Sequence, residues 1–233
     1  MKADFPANGR SGTSGAESPD PWMEKRRAVM VDAIRKTGVT QAVVEAIAAA
    51  PRHEFVPLEA QPDAYEDIAL PIGGGQTISQ PSLVAIMTAA LRVAPTDKVL
   101  DIGTGSGYQA AILSRLAAEV ISVERVPELA QAARSRLDRL GYPNVQIEVA
   151  GDTLGWPEAA PYDAIVVAAA APSVPGVLFD QLEMGGRLVI PVGSRTDQVL
   201  VAVTRTPAGR DITEICPCRF VPLIGPDAWP EEL

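Results

Sequence analysis

"VLDIGTGSGYQ", residues 99–109, sets one acid, Asp101, and three glycines, Gly103, Gly105 and Gly107, directly behind a short apolar run. A run of that length closed by glycines reads as a buried strand. The glycines let the backbone turn sharply and approach a ligand where any Cβ would intrude. Their spacing sorts the ligand classes. A dinucleotide fingerprint needs glycine or alanine at position 108, which is Tyr108 here, and a P-loop needs a Lys-Ser/Thr pair that the stretch lacks. What remains is G-x-G-x-G with an acid two residues upstream.

Working outward, "EVISVE", "VQIEVA", "DAIVVAAA", "RLVIPVG", "QVLVAVTRT" and "TEICPCRFVPL" read as further strands, interleaved with the helical patterns "GYQAAILSRLAA", "PELAQAARSRLDRL" and "PGVLFDQLE". Pro127 opens the second of these helices and Gly141 follows its end. Strands alternating with helices predict right-handed crossovers. The fold class expected is α/β, a doubly wound, mostly parallel seven-stranded Rossmann-like sheet, antiparallel at its last two strands. Ligands in such sheets bind beyond the carboxyl ends of the strands. Glu124 ends the second strand, about twenty residues past the glycine loop, where an acid can accept from both hydroxyls of a ribose. "AGD", residues 150–152, follows the third strand, and Asp152 beside Gly151 can accept from an adenine amine. A solvated carboxylate at Glu124 and an Asx turn at Asp152 are the plainer alternatives.

Upstream, "EKRRAVMVDAIRKTG" and "TQAVVEAIAAAP" carry apolar residues at helical spacing, the first stopped by Gly38 and the second opened by Thr40 as N-cap. Residues 52–80 are punctuated by Pro and Gly, irregular, and long for a connection, which favours a functional segment. A helix follows over residues 81–93 with Pro81 at its first position. The first 21 residues have the Gly/Ser/Ala/Pro composition of a disordered tail. Residues 22–233 are expected to form one domain, with N-terminal helices and a substrate-facing segment over 22–80 and a cofactor-binding core over 81–233.

With 233 residues and 47% hydrophobic content the chain can bury a sizeable core, and its formal charge of −9 argues against a nucleic-acid-binding face. No run approaches the roughly 18 apolar residues of a membrane span and the N-terminus lacks an apolar leader core. A cytoplasmic protein without membrane attachment is expected. Cys216 and Cys218 form a lone C-x-C and His53 is the sole histidine, so neither a metal site nor a Cys/His nucleophile pair can be assembled. His53 reads as structural.

The glycine loop, in the G-x-G-x-G form with its upstream acid, resembles that of S-adenosylmethionine-dependent methyltransferases. A more specific resemblance runs over residues 25 to 226: "PRHEFVP", "AYEDIALPIGGGQTISQPSLVAIMTAAL", "VLDIGTGSGYQAAIL", "GDTLGWPEAAPYDAIVVAAAAPSVP", "LEMGGRLVIPVG" and "RFVPLIG" together are similar to the protein-L-isoaspartate O-methyltransferase family. "PIGGGQTISQP", residues 71–81, is not general to methyltransferases and carries the substrate assignment. The resemblance implies that S-adenosyl-L-methionine is the donor and S-adenosyl-L-homocysteine the product. The acceptor is the free α-carboxyl of isoaspartyl residues in damaged peptides and proteins, and the ester then closes to a succinimide. It implies Ser79 as the catalytic residue, Gln80, Pro81, Asp101, Gly103, Thr104, Gly105, Gly107, Glu124, Gly151 and Asp152 as cofactor-binding, and Tyr65, Ile72, Gly73, Thr77 and Ile78 as substrate-binding.

The chemistry agrees with this assignment. A free carboxylate is already a nucleophile, so a hydroxyl and backbone N–H groups that hold one oxygen in line suffice, and an arginine grip would overstabilise the ground state. For Ser79 the alternative is a helix cap. Ala168 stands where many relatives carry a hydroxyl residue, and the tail has no counterpart in compact members. Two other functions remain open: methylation of an aspartate in a dedicated precursor peptide, and a binding module that keeps cofactor affinity without activity.

Overall fold

Pro21–Arg35 (α1) and Gln41–Ala49 (α2) form the helical pair that the apolar spacing predicts. The computed structural model describes residues 21–230, so the expectation for residues 1–20 lies outside the described residues. Thr40 occupies the N-cap of α2 with its carbonyl, accepting from Val44 N at 3.2 Å, while its hydroxyl makes no capping bond. The segment that reads as irregular in sequence contains two short 3₁₀ turns, Arg52–Phe55 and Leu58–Asp63, and a hairpin of β1 (Leu70–Gly73) and β2 (Gln76–Ile78). Gly73 pairs with Gln76, leaving Gly74 and Gly75 as a two-residue turn with φ of 59° and 70°. Positive φ at both central positions is what a tight hairpin demands, and glycine alone meets it without strain.

Helix α3 (Pro81–Leu91) leads into β3 (Lys98–Ile102), α4 (Tyr108–Leu113), β4 (Glu119–Glu124), α5 (Pro127–Leu140), β5 (Val145–Val149), β6 (Tyr162–Val167), α6 (Gly176–Asp180), β7 (Leu182–Gly193), β8 (Gln198–Thr206) and β9 (Gly209–Cys218). The seven strands from β3 onward form one sheet of order β5-β4-β3-β6-β7-β8-β9. β5 through β7 run parallel, whereas β7–β8 and β8–β9 pair antiparallel. The doubly wound α/β expectation holds, including its antiparallel end. Central parallel strands need apolar residues on both faces. Val99, Val120, Ala164, Val166 and Val189 pack with α1 through α5, while Leu100, Ile102, Ile121, Ile165 and Leu188 pack with Leu178 of α6 and the loop residues Leu154 and Leu223.

Helix α4 is shorter than its sequence pattern because the chain turns after Leu113. The Asn144 amide donates to the carbonyls of Ser114 at 2.9 Å and Ala117 at 3.2 Å, satisfying acceptors that a longer helix would have paired internally. β7 begins at Leu182, ahead of "RLVIPVG", with an irregularity in its pairing to β6 between Tyr162 and Ala164. No described helix is long and apolar enough to cross a membrane.

Candidate active site

The carboxyl ends of β3, β4, β5 and β6 open into a cavity of about 640 Å³, within the usual range for small-molecule sites. Its floor is the loop Gly103–Gln109, its sides are residues 123–126 and 150–155, and its cover includes Gly75–Ser79 and residues 221–226. The first amides of the loop are fixed by the neighbouring strand, since Gly103 N and Thr104 N both donate to Val123 O, at 2.8 and 3.2 Å. Glu124 is 6% exposed and accepts from Gly105 N at 2.8 Å and Val126 N at 2.9 Å, one bond to each carboxylate oxygen. An ionised carboxylate offers about four acceptor positions, so Glu124 retains capacity for the two hydroxyls of a ribose while pinning the loop beneath them. A side chain at Gly105, where φ is 52°, would start 3.1 Å from Ile72 Cδ1. The loop is therefore a close-approach surface that only glycine leaves open, which fits the bound nucleoside that the sequence predicts.

Thr77, Ile78, Ser79, Gly103, Thr104, Gly105, Glu124, Gly151 and Asp152 all line this cavity. Other candidates do not. Asp101 lies under the loop, fully buried, accepting from Ser122 Oγ at 2.7 Å across the β3–β4 pair, because β3 is a central strand covered on both faces. Burial pushes its carboxyl up to about 7. Gly107, with φ of 87°, lines neither this cavity nor a smaller one beside it. It lets the start of α4 approach α5, and a Cβ there would meet Leu137 at 3.2 Å and Ala133 at 3.4 Å. Pro81 is buried as the first residue of α3. Tyr65 is 5% exposed, its hydroxyl 2.6 Å from His53 Nδ1, so it packs inside the N-terminal segment and faces neither cavity. Ile72 lies close to Gly105 and Gly73 is exposed at the end of β1, and neither lines these two cavities.

The smaller cavity, about 350 Å³, is lined by Ala69, Thr77, Ser79, Gln80, Leu83, Ala168, Arg195 and residues 219–222. Gln80, read from sequence as cofactor-binding, belongs here. Thr77, Ser79 and Ala168 line both spaces, so the strand end at Ser79 is the partition between them. Ser79 is not the helix cap, since the N-cap of α3 is Gln80. What fixes Ser79 is its carbonyl, which accepts from Arg52 Nη2 at 2.8 Å. Arg52 is fully buried, donates Nε to Ala64 O at 2.8 Å, and lies 4.9 Å over the ring of Tyr108, the first residue of α4. One guanidinium thus couples the N-terminal segment, the partition and the end of the glycine loop.

A family model described as protein-L-isoaspartate(D-aspartate) O-methyltransferase matches residues 24–228. The chain belongs to this family. A protein-L-isoaspartate O-methyltransferase of Roseiflexus castenholzii is 51% identical over 212 residues, covering 91% of this chain and 97% of its own. One of Gloeobacter violaceus is 53% identical over 197 residues, covering 83% and 96%. A solved structure named protein-L-isoaspartate O-methyltransferase superposes with a TM-score of 0.77 at 30% identity, over 87% of this chain and 67% of that one. A Plasmodium falciparum structure carrying the same family name, in complex with S-adenosyl-L-homocysteine, shares the fold with a TM-score of 0.73 at 23% identity, over 84% and 96%.

Within the isoaspartyl methyltransferase frame, the sequence alone did not single out Arg52, Gln109, Arg195 or Arg219. Arg52 sits in "PRHEFVP", directly followed by the polar pair His53-Glu54, so no local pattern marks it as a buried charge. Gln109 is buried, lines the larger cavity and donates to Thr88 Oγ1 at 2.9 Å. Arg195 and Arg219 lie in loops beyond β7 and β9, and no local pattern connects them to Ser79.

Proposed function

We propose that this protein transfers a methyl group from S-adenosyl-L-methionine to the free α-carboxyl of L-isoaspartyl residues in damaged proteins and peptides, starting their repair through a succinimide. The observation that carries this reading is the position of Ser79 on the wall common to both cavities. The donor, when bound, supplies an electrophilic methyl group on its sulfonium. Glu124 would accept from the ribose hydroxyls and Asp152 from the adenine amine, while the backbone of Gly103–Gly105 closes on the remainder. On the other side, the Ser79 hydroxyl and backbone N–H groups of the same segment would hold one carboxylate oxygen in line. No residue needs to remove a proton, because the acceptor is ionised at neutral pH. The work is alignment, and well-oriented reactants gain about 7–11 kcal/mol of barrier from it at most. Ester closure to the succinimide needs no group from the protein.

A methyl-transfer assay on one peptide made in isoaspartyl and aspartyl forms tests this. Turnover of the isoaspartyl form alone is expected. Equal turnover of both, or of the aspartyl form alone, would overturn the repair assignment.

A further inference from the structure

We propose that the smaller cavity is a subsite for a carboxylate side chain next to the isoaspartyl residue, recognised by Arg219 together with Arg195. The inference rests on the isoaspartyl reading above and extends it to the substrate's neighbours. Of the described residues that line this cavity, the only charged ones are these two arginines. That is a departure from the molecule as a whole, which carries 29 acidic against 20 basic residues. The larger cavity differs, since its lining includes Glu124 and Asp152 as well as Arg125 and Arg195. The Arg195 side chain and the backbone next to Arg219 are held in place. Arg195 lies 4.9 Å over the ring of Trp229, whose own backbone is fixed by Gly225 N donating to Trp229 O at 3.1 Å and Trp229 N donating to Leu223 O at 2.9 Å. Arg219 is exposed at the rim, and the next residue is clamped by one side chain: Phe220 N donates to Gln198 Oε1 at 2.7 Å and Phe220 O accepts from Gln198 Nε2 at 3.2 Å.

Beside the polar Thr77, Ser79 and Gln80, the wall has an apolar part, Ala69, Leu83, Ala168, Phe220, Val221 and Pro222, which suits the stem of a side chain whose carboxylate ends at a guanidinium. The reacting carboxylate is a poor occupant for the arginines, because a tight grip on it would stabilise the ground state as much as the transition state. A neighbouring acid gains binding and faster encounter without that penalty.

The test uses isoaspartyl peptides carrying Glu, Gln or Lys at each of the two positions before and after the isoaspartyl residue. With the wild-type protein, at least one position should give kcat/KM about three- to tenfold higher for Glu than for Gln, with Lys lowest, the range of a partly exposed charge pair. The preference should shrink in about 1 M salt, where the Debye length is about 3 Å. Arg219→Gln should bring Glu and Gln peptides within about twofold of one another, and Arg219→Glu should invert the order toward Lys. S-adenosyl-L-homocysteine affinity, read by calorimetry, should be unchanged in both variants because Arg219 does not line the larger cavity. Equal rates for Glu, Gln and Lys at every position would overturn the subsite while leaving the isoaspartyl activity standing. A uniform loss on all peptides in Arg219→Gln would also overturn it, by assigning Arg219 to the reacting carboxylate. Failure of the wild type to methylate any isoaspartyl peptide would remove the underlying function and the subsite with it.

Discussion

The two cavities that meet at Ser79 are built on different principles. The larger one is made mostly from strand ends in sequence order, residues 102–106, 108, 109, 123–126 and 150–155, each at or just past the end of a parallel strand. Its specificity lies in backbone amides and one pinned carboxylate. The smaller one gathers residues 69, 77, 79, 80, 83, 168, 195 and 219–222, and its character comes from side chains, two of them cationic. A nucleoside is the same molecule each time, so a rigid backbone cradle suits it. A damaged residue occurs in many peptide contexts, and an open wall with a few long side chains can receive them.

Four changes test this contrast, from the largest expected effect to the smallest. Gly105→Val should abolish cofactor binding, since a β-branched residue is an outlier at a φ of 52° and its Cβ would press on Ile72. Calorimetry with S-adenosyl-L-homocysteine measures this, and normal affinity would dissolve the backbone-cradle account. Glu124→Ala should weaken the same binding by about 2–3 kcal/mol, because the ribose loses a charged acceptor and the N–H groups of Gly105 and Val126 lose theirs. Unchanged affinity would take Glu124 out of the site.

Ser79→Ala acts on the partition rather than on either side. It should lower kcat/KM on an isoaspartyl peptide by about tenfold to a hundredfold, the loss of one hydrogen bond to a charged group. Cofactor affinity and melting temperature should hardly move, since Gln80 and not Ser79 caps α3. Wild-type kinetics in this variant would transfer the orienting role to backbone donors.

The smallest effect on binding and turnover concerns Asp101, beneath the cradle. Its folded pKa, about 7, lies above its ordinary value of 3.8 because burial disfavours the charge. The protonated form is thus favoured in the fold, and the stability it contributes is fully present below about pH 4 and is lost as pH rises through 7. Asp101→Asn stays neutral throughout. The melting temperature of the wild type relative to this variant should therefore fall between pH 4 and pH 8. A pH-independent difference would show that the carboxyl titrates normally.

How much of this was legible in sequence follows from the same contrast. Gly103, Gly105, Glu124 and Asp152 stand at strand ends, and a parallel sheet brings consecutive strand ends together by topology. Local pattern therefore implies spatial proximity there. Asp101 and Gly107 belong to the same motif yet face the core and α5, because a motif fixes backbone course without saying which side chains turn toward the ligand. The hairpin at Gly74–Gly75 was written in a glycine pair but hidden by strands of only three and four residues. Tyr65 looked substrate-facing from its place ahead of the glycine-rich segment, and its bond to His53 turns it inward. Arg195 and Arg219 depend on how β7 to β9 return across the sheet, a tertiary arrangement that no spacing in the chain encodes.

Arg52 also acts at one remove. Its guanidinium sits on the oxygen of the peptide unit joining Ser79 to Gln80, at 2.8 Å. A cation on an amide oxygen draws electron density toward that oxygen and leaves the amide nitrogen's proton more acidic, so the same unit becomes a stronger donor. Gln80 lines the smaller cavity. On the reading proposed above, the buried charge would act on the reacting carboxylate by induction, through a sharpened dipole and without a guanidinium in direct contact with it.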